Sequence, residues 1–216
     1  MLKRKEKNNK SQLIKVGSFL ILLGVSVISI HLIINFINIQ NEKSLIKEYY
    51  ENEEYIVDVP VMEEEIVQEE QQVEEKKENK KVEINYIAVI KIPKIGLEKG
   101  LASKDSYYNN VNRNIQILTE SDMPDKEKGN VILASHSGNS SVSYFNKLNK
   151  LEYNDSVIIS YKGRDYVYRM VNSYEIEKNG YAHILRNAEK TTLTLITCKH
   201  NSNKQLIVIC ELIEER

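Results

Sequence analysis

Cysteine is scarce in this chain. Its 216 residues hold two, Cys198 and Cys210, which are too far apart to form a CxxC metal clip. An HExxH helix and a glycine-rich phosphate loop are missing as well, so neither zinc nor nucleotide has a basis in the sequence, and no cofactor is expected. No charge of one sign dominates either. Lys and Arg number 30 against 31 Asp and Glu, for a formal net charge of -1, and this balance excludes the broad basic face that nucleic-acid binding requires. Of the four histidines, His31, His183 and His200 stand alone and read as interfacial or surface residues.

The charges that are present are unevenly laid out. Lys3, Arg4, Lys5, Lys7, Lys10 and Lys15 crowd the N-terminus, and Val16–Ile37 then runs without a charge. At 1.5 Å per residue such a helix measures about 33 Å, enough to cross a hydrocarbon core of about 30 Å. A cleaved signal peptide would have a shorter apolar core and a small-residue exit, which Ile33-Ile-Asn-Phe-Ile-Asn-Ile39 does not offer. The expectation is an uncleaved single-pass anchor over residues 16–37, with basic residues 1–15 in the cytoplasm and the remainder outside the cell. In residues 38–82, Glu63-Glu-Glu65, Glu69-Glu70, Glu74-Glu75 and Lys76-Lys77 leave only scattered Val and Ile to bury, a composition that predicts an extracellular charged stalk.

Residues 83–216 read as one mainly β domain. Tyr86–Ile92, Asn130–Ala134, Ser156–Tyr161, Asp165–Tyr174, Thr191–Thr197 and Gln205–Ile213 carry β-branched or aromatic residues, with turn signals between them. Tyr161-Lys-Gly-Arg-Asp165 predicts a hairpin with Gly163 available for positive φ. Leu101–Ile117 predicts irregular chain or a brief helix, with Ser103-Lys-Asp-Ser106 as its start. Many short strands with few helices imply a sandwich or a closed barrel.

Chemistry is concentrated at two strand ends. Thr194-Leu-Ile-Thr-Cys198 delivers a thiol directly after an alternating strand, and Asn130-Val-Ile-Leu-Ala-Ser-His136 is a second β-run that stops on a histidine. Histidine is the side chain best able to share a proton with a thiol near neutral pH, so the pair suggests a Cys/His transferase or hydrolase. A lone strand cysteine is more often a small buried hydrophobe, and that reading fits Cys210 within Leu206-Ile-Val-Ile-Cys-Glu-Leu-Ile213. Cys198 and Cys210, on consecutive strands, could also be cross-strand neighbours joined in a disulfide, the less favoured reading.

From Glu83 onward the chain resembles the sortase family, membrane-tethered cysteine transpeptidases of Gram-positive bacteria. Five pieces carry the resemblance in the family's order: Ile87-Ala-Val-Ile-Lys-Ile-Pro-Lys-Ile-Gly-Leu97 with its IPKI signature, Gly129–His136, Tyr144–Leu151 as a short helical turn, Asn154–Ile159, and Thr194–Cys198 as the TLxTC motif. The resemblance implies an eight-stranded sortase-type β-barrel, with Cys198 as nucleophile and His136 as its proton partner. It also implies a sorting-signal peptide similar to LPxTG as substrate, and an amine from a cell-wall precursor or a pilin lysine as acceptor. Where sortases carry an arginine on the strand after the cysteine, this chain has Gln205 by register, with Lys204 expected on the other face. A glutamine amide donates hydrogen bonds but brings no charge. Glu98, Asp105, Glu120, Asp122 and Asp125 are too scattered to form the calcium site of some sortases. A chain ending at Arg216 without a second apolar span points toward anchoring of surface proteins and away from pilus polymerisation. The missing arginine also supports an alternative, a catalytically idle surface domain that binds extended peptides in its cleft.

Overall fold

The structure is a computed structural model that describes residues 2–54, 84–179, 181–199 and 202–216. A long helix, α1 (Leu2–Glu54), precedes eight strands. These are β1 (Tyr86–Ile92), β2 (Leu97–Ala102), β3 (Gln116–Ile117), β4 (Asn130–Ala134), β5 (Ser156–Tyr161), β6 (Arg164–Glu177), β7 (Thr192–Cys198) and β8 (Lys204–Glu215). They form one sheet in the order β2-β1-β5-β6-β8-β7-β4-β3. Its edge strands β2 and β3 approach each other, so the sheet nearly closes into the expected eight-stranded barrel. β4 and β7 pair in parallel; the other pairings are antiparallel.

Side-chain alternation decides what the barrel encloses. Val131 and Leu133 of β4, Leu193 and Leu195 of β7, and Val208 and Cys210 of β8 point into the core, where Phe145 and Leu148 from the β4–β5 connection join them. The opposite face of the same three strands is apolar too: Ile132, Ile196, Ile207 and Ile209 form a second buried cluster, packed against Leu118, Val171, Tyr174 and Ile184. Burial on both faces accounts for the unbroken apolar runs of β4 and β8.

The six strands read from the sequence are present. β2 was not legible, because Leu-Glu-Lys-Gly-Leu-Ala carries no β-branched residue. It forms through pairing with β1, and Gly100 is needed there: a Cβ would lie 2.1 Å from a ring carbon of Tyr86. The β5–β6 hairpin turns through Lys162 and Gly163 at φ of 49° and 70°, consistent with the expected tight turn. Of the two readings for Leu101–Ile117, the irregular one holds over residues 103–115; no helix begins at Ser103, and the ends of the stretch belong to β2 and β3. Asn109 competes with helix formation there, donating to the carbonyls of Lys104 (3.1 Å) and Ile117 (3.0 Å) and accepting from the Ile117 amide (2.7 Å).

α1 does not stop at Ile37, and its large apolar residues from Val16 to Ile39 are exposed. Residues up to Ser44 form one compact unit; from Leu45 onward the chain belongs to the barrel's unit. Within that unit Ile46 and Tyr49 bury against Tyr86 and Val89, because their spacing gives the last turns of α1 an apolar face. Tyr49 Oη donates to the Ser160 carbonyl (3.1 Å), and Lys91 Nζ sits 4.7 Å from the Tyr50 ring centre. Residues 38–54, expected to belong to the stalk, are therefore helical, and residues 45–54 are part of the folded domain. The acidic run over residues 63–75 lies outside the described residues.

Candidate active site

Because β4 and β7 run side by side in parallel, their carboxyl ends finish at the same edge of the sheet. Ala134, the last residue of β4, pairs with Ile196, and His136 follows between Ser135 and Ser137, which hydrogen-bond to the carbonyls of Ile196 and Cys198. On the other flank of β7, antiparallel β8 places Gln205 opposite Cys198, and β6 places Ile176 opposite Gln205. Residues opposite one another share a face. Cys198 and Gln205 thus lie opposite each other on β7 and β8, beyond the end of the strip made by Ile132, Ile196, Ile207 and Ile209. Of the three residues singled out from the sequence, Cys198 and Gln205 are paired across β7 and β8, and His136 leaves the end of β4 on the other flank of β7.

Local hydrogen bonds fix the two strand ends. The Thr197 hydroxyl donates to the Ser135 carbonyl (2.8 Å), the Ser135 amide donates to the Ile196 carbonyl (3.2 Å), and the Ser137 hydroxyl donates to the Cys198 carbonyl. Thr197 points inward and Cys198 outward, so the threonine positions backbone and the thiol is left half-buried. His136 Nε2 lies 2.9 Å from Asn112 Oδ1. A carboxamide oxygen accepts, so in this pairing the ring nitrogen is the donor. Over the apolar strip, the β6–β7 connection is pinned by Tyr174 Oη, which donates to the His183 carbonyl (2.8 Å) and accepts from the Leu185 amide (2.7 Å).

Lys204 does not lie opposite Cys198. Its Nζ is 3.7 Å from Glu175, which also accepts from Lys199 Nζ at 2.5 Å. The hydrogen bond from Lys199, followed by the charges of Lys199 and Lys204, holds the Glu175 carboxyl below its ordinary value. Beside this cluster a cavity of about 350 Å³ opens at the barrel mouth, with Thr197, Leu206, Cys198 and Glu175 in its lining.

The two cysteines are not cross-strand neighbours. β8 sets Cys210 opposite Leu193, five residues along from Gln205 and roughly 17 Å from Cys198 along the strand. Both thiols are free, and burial pushes that of Cys210 up to about 12. Among the described residues no group of three or more His, Cys, Asp or Glu is placed to hold a metal. His183 is exposed, and His200 lies outside the described residues. Reasoning from sequence missed Asn112 and Glu175, which reach the site from distant segments without a local motif. Ser137 was in view, directly after His136.

Comparison with known proteins bears on family and fold. The family model for the sortase domain matches residues 90–213. No curated protein sequence matches the chain. Among solved structures, a sortase D5 transpeptidase from Clostridium perfringens is similar at 25% identity and a TM-score of 0.52, with 60% of this chain and 80% of that one covered. Sortase C1 from Streptococcus agalactiae is similar at 24% identity and a TM-score of 0.52, covering 60% and 68%. A lid mutant of sortase A from Corynebacterium diphtheriae aligns at 19% identity and a TM-score of 0.55, covering 63% and 74%. With more than half of its length matched by the sortase-domain model and its strands arranged as that nearly closed barrel, this chain belongs to the sortase family of cysteine transpeptidases.

Proposed function

We propose that this chain is a membrane-anchored transpeptidase that cleaves an LPxTG-like sorting signal through a thioester on Cys198 and passes the surface protein to an amine. The observation that supports this reading is the pairing of Cys198 with Gln205 across β7 and β8, with His136 two residues past the end of β4 on the other flank of β7. Ile196 and Ile207 are already buried under Tyr174 and Ile184, so an extended peptide would bring its scissile carbonyl to Cys198 at the edge of the mouth cavity.

The thiolate of Cys198 attacks that carbonyl carbon, forming a C–S bond and a tetrahedral oxyanion. Gln205, opposite the sulfur, donates an amide N–H to the developing charge. The C–N bond then breaks, and the departing amine takes its proton from His136. In the second half, His136 accepts a proton from the incoming amine, a new C–N bond forms, and the C–S bond breaks to return the thiolate. Asn112 acts as a positioning residue, holding the imidazole through Nε2. The acceptor is an amine of a cell-wall precursor or a pilin lysine. α1 supplies a single-pass anchor through its exposed apolar stretch, with the barrel outside the cell.

The test is mass spectrometry of the full chain in detergent with a panel of LPxTG-like peptides and hydroxylamine, alongside Cys198→Ala. Cleavage after Thr with a hydroxamate product, lost in the variant, is the expected result. Peptide binding without turnover or acyl-enzyme across the panel would reject transpeptidation in favour of a peptide-binding module.

A further inference from the structure

The space that opens beside Cys198 is the cavity at the barrel mouth. The outer face of β7 and β8 is already covered, with Ile196 and Ile207 buried and packed against Tyr174, Ile176 and Ile184, whereas the cavity of about 350 Å³ is open and has Cys198 in its lining. A peptide whose scissile carbonyl reaches the sulfur therefore carries the side chains near that bond to the edge of the cavity. In an LPxTG-like signal the variable residue before Thr and the residue after Gly each lie about 5 Å along the chain from the scissile carbonyl. They are three residues apart and point to opposite sides of an extended peptide, so one of them faces the cavity.

Two cations line this space, and they differ in their partners. Lys199 is engaged by Glu175 at 2.5 Å, a carboxylate that Lys204 also approaches at 3.7 Å. Lys147 has no carboxylate partner among the described residues. Its backbone is held by what surrounds it in sequence: Phe145 and Leu148 are buried in the core, the Leu148 amide donates to the Phe145 carbonyl (3.1 Å), and the Lys150 amide donates to the Lys147 carbonyl (3.0 Å). Asn139, Asn146 and Asn149 add carboxamides to the lining, which donate and accept without charge. An unpaired ammonium among neutral hydrogen-bonding groups attracts a carboxylate and repels a cation.

Resting on the transpeptidase reading above, we propose that Lys147 is a specificity-determining residue, and that the sorting signal of this protein carries a carboxylate side chain within two residues of the bond that Cys198 attacks. The ammonium of Lys147 meets that carboxylate as the carbonyl reaches the sulfur; it takes no part in bond making or breaking.

The experiment uses full-length protein in detergent, hydroxylamine, and two equimolar pairs of peptides capped at both ends, LPETGA with LPQTGA and LPATGE with LPATGQ. Within each pair the peptides differ only in the charge of one side chain, and the ratio of cleavage products, read by mass spectrometry in one sample, is the ratio of their kcat/KM values. Glutamate should be favoured over glutamine by roughly threefold in one pair, as expected of a single exposed charge contact, with a ratio near one in the other. Lys147→Ala should bring both ratios close to one, Lys147→Arg should keep the preference, and Lys147→Glu should reverse it. Lys147 is exposed, so its replacement does not threaten the fold. Hydroxamate formation with ratios near one in both pairs, or a preference for glutamate that survives Lys147→Ala, would overturn the role of Lys147 and leave the transpeptidase reading standing. Absence of hydroxamate from all four peptides would overturn both.

Discussion

Gln205 and Lys204 are adjacent, yet β8 sends their side chains to opposite faces, so replacing each by alanine separates the two ways of compensating for a missing arginine. Gln205 sits opposite Cys198, while Lys204 is drawn to Glu175 at 3.7 Å. A well-enclosed oxyanion donor contributes roughly 10²–10³ in kcat. Gln205 is neutral and half-buried, which places its contribution nearer that of an ordinary hydrogen bond, about 1–2 kcal/mol, or roughly 5- to 30-fold in kcat/KM. Gln205→Ala should therefore slow peptide cleavage by that factor. Gln205→Arg should raise the rate about fivefold, since a charge-assisted hydrogen bond is roughly twice as strong. Lys204→Ala should change it by less than about twofold, as expected of an exposed ion-pair partner. The assay is continuous release of the fragment after Thr, with hydroxylamine in excess so that deacylation does not limit. A loss in Lys204→Ala equal to or larger than that in Gln205→Ala would refute the register argument and assign the electrostatic role to the lysine.

Three further outcomes follow from the same geometry. Cys198 should react with a small alkylating agent far faster than Cys210, whose thiol is buried and held near 12, and His136→Ala should slow the labelling of Cys198 while leaving that of Cys210 unchanged; peptide mapping after timed labelling measures it. A soluble form starting at Leu45 should melt higher than one starting at Glu83, because the shorter form uncovers Val89 and Tyr86; burial of Ile46 alone contributes about 2 kcal/mol, or roughly 4–8 °C, and equal melting temperatures would show that residues 45–54 add nothing. Glu175 has a depressed folded pKa, so its stabilisation is complete above the unfolded carboxyl value of roughly 4.3 and is lost as pH falls through the lower folded value. Glu175→Gln should accordingly show a shallower fall in melting temperature on acidification than the unaltered chain.

The sequence carried the site further than it carried the fold's edges. Thr194–Cys198 and Asn130–His136 are local patterns, each a strand that ends on a reactive side chain, and alternation alone tells which of their residues face inward. β2 escaped because its stability comes from β1, and its glycine makes sense only beside the Tyr86 ring. Asn112 escaped because 24 residues of turns and strand separate it from the histidine that it meets, and a lone asparagine carries no signature. Residues 38–54 were grouped with a solvated stalk because the apolar face of Ile46 and Tyr49 has meaning only once Val89 is there to cover it.

By itself, then, the sequence determined the length of the uncharged apolar run and set one cysteine and one histidine at the ends of two strand patterns, since each depends on residue type and short-range spacing. Only the tertiary structure decided that β4 and β7 finish at the same edge of the sheet, that Gln205 and not Lys204 lies opposite Cys198, and that a cavity borders Cys198. Those facts follow from the parallel register of β4 with β7 and the antiparallel register of β7 with β8, and a pairing between strands distant in the chain is written in no single stretch of it.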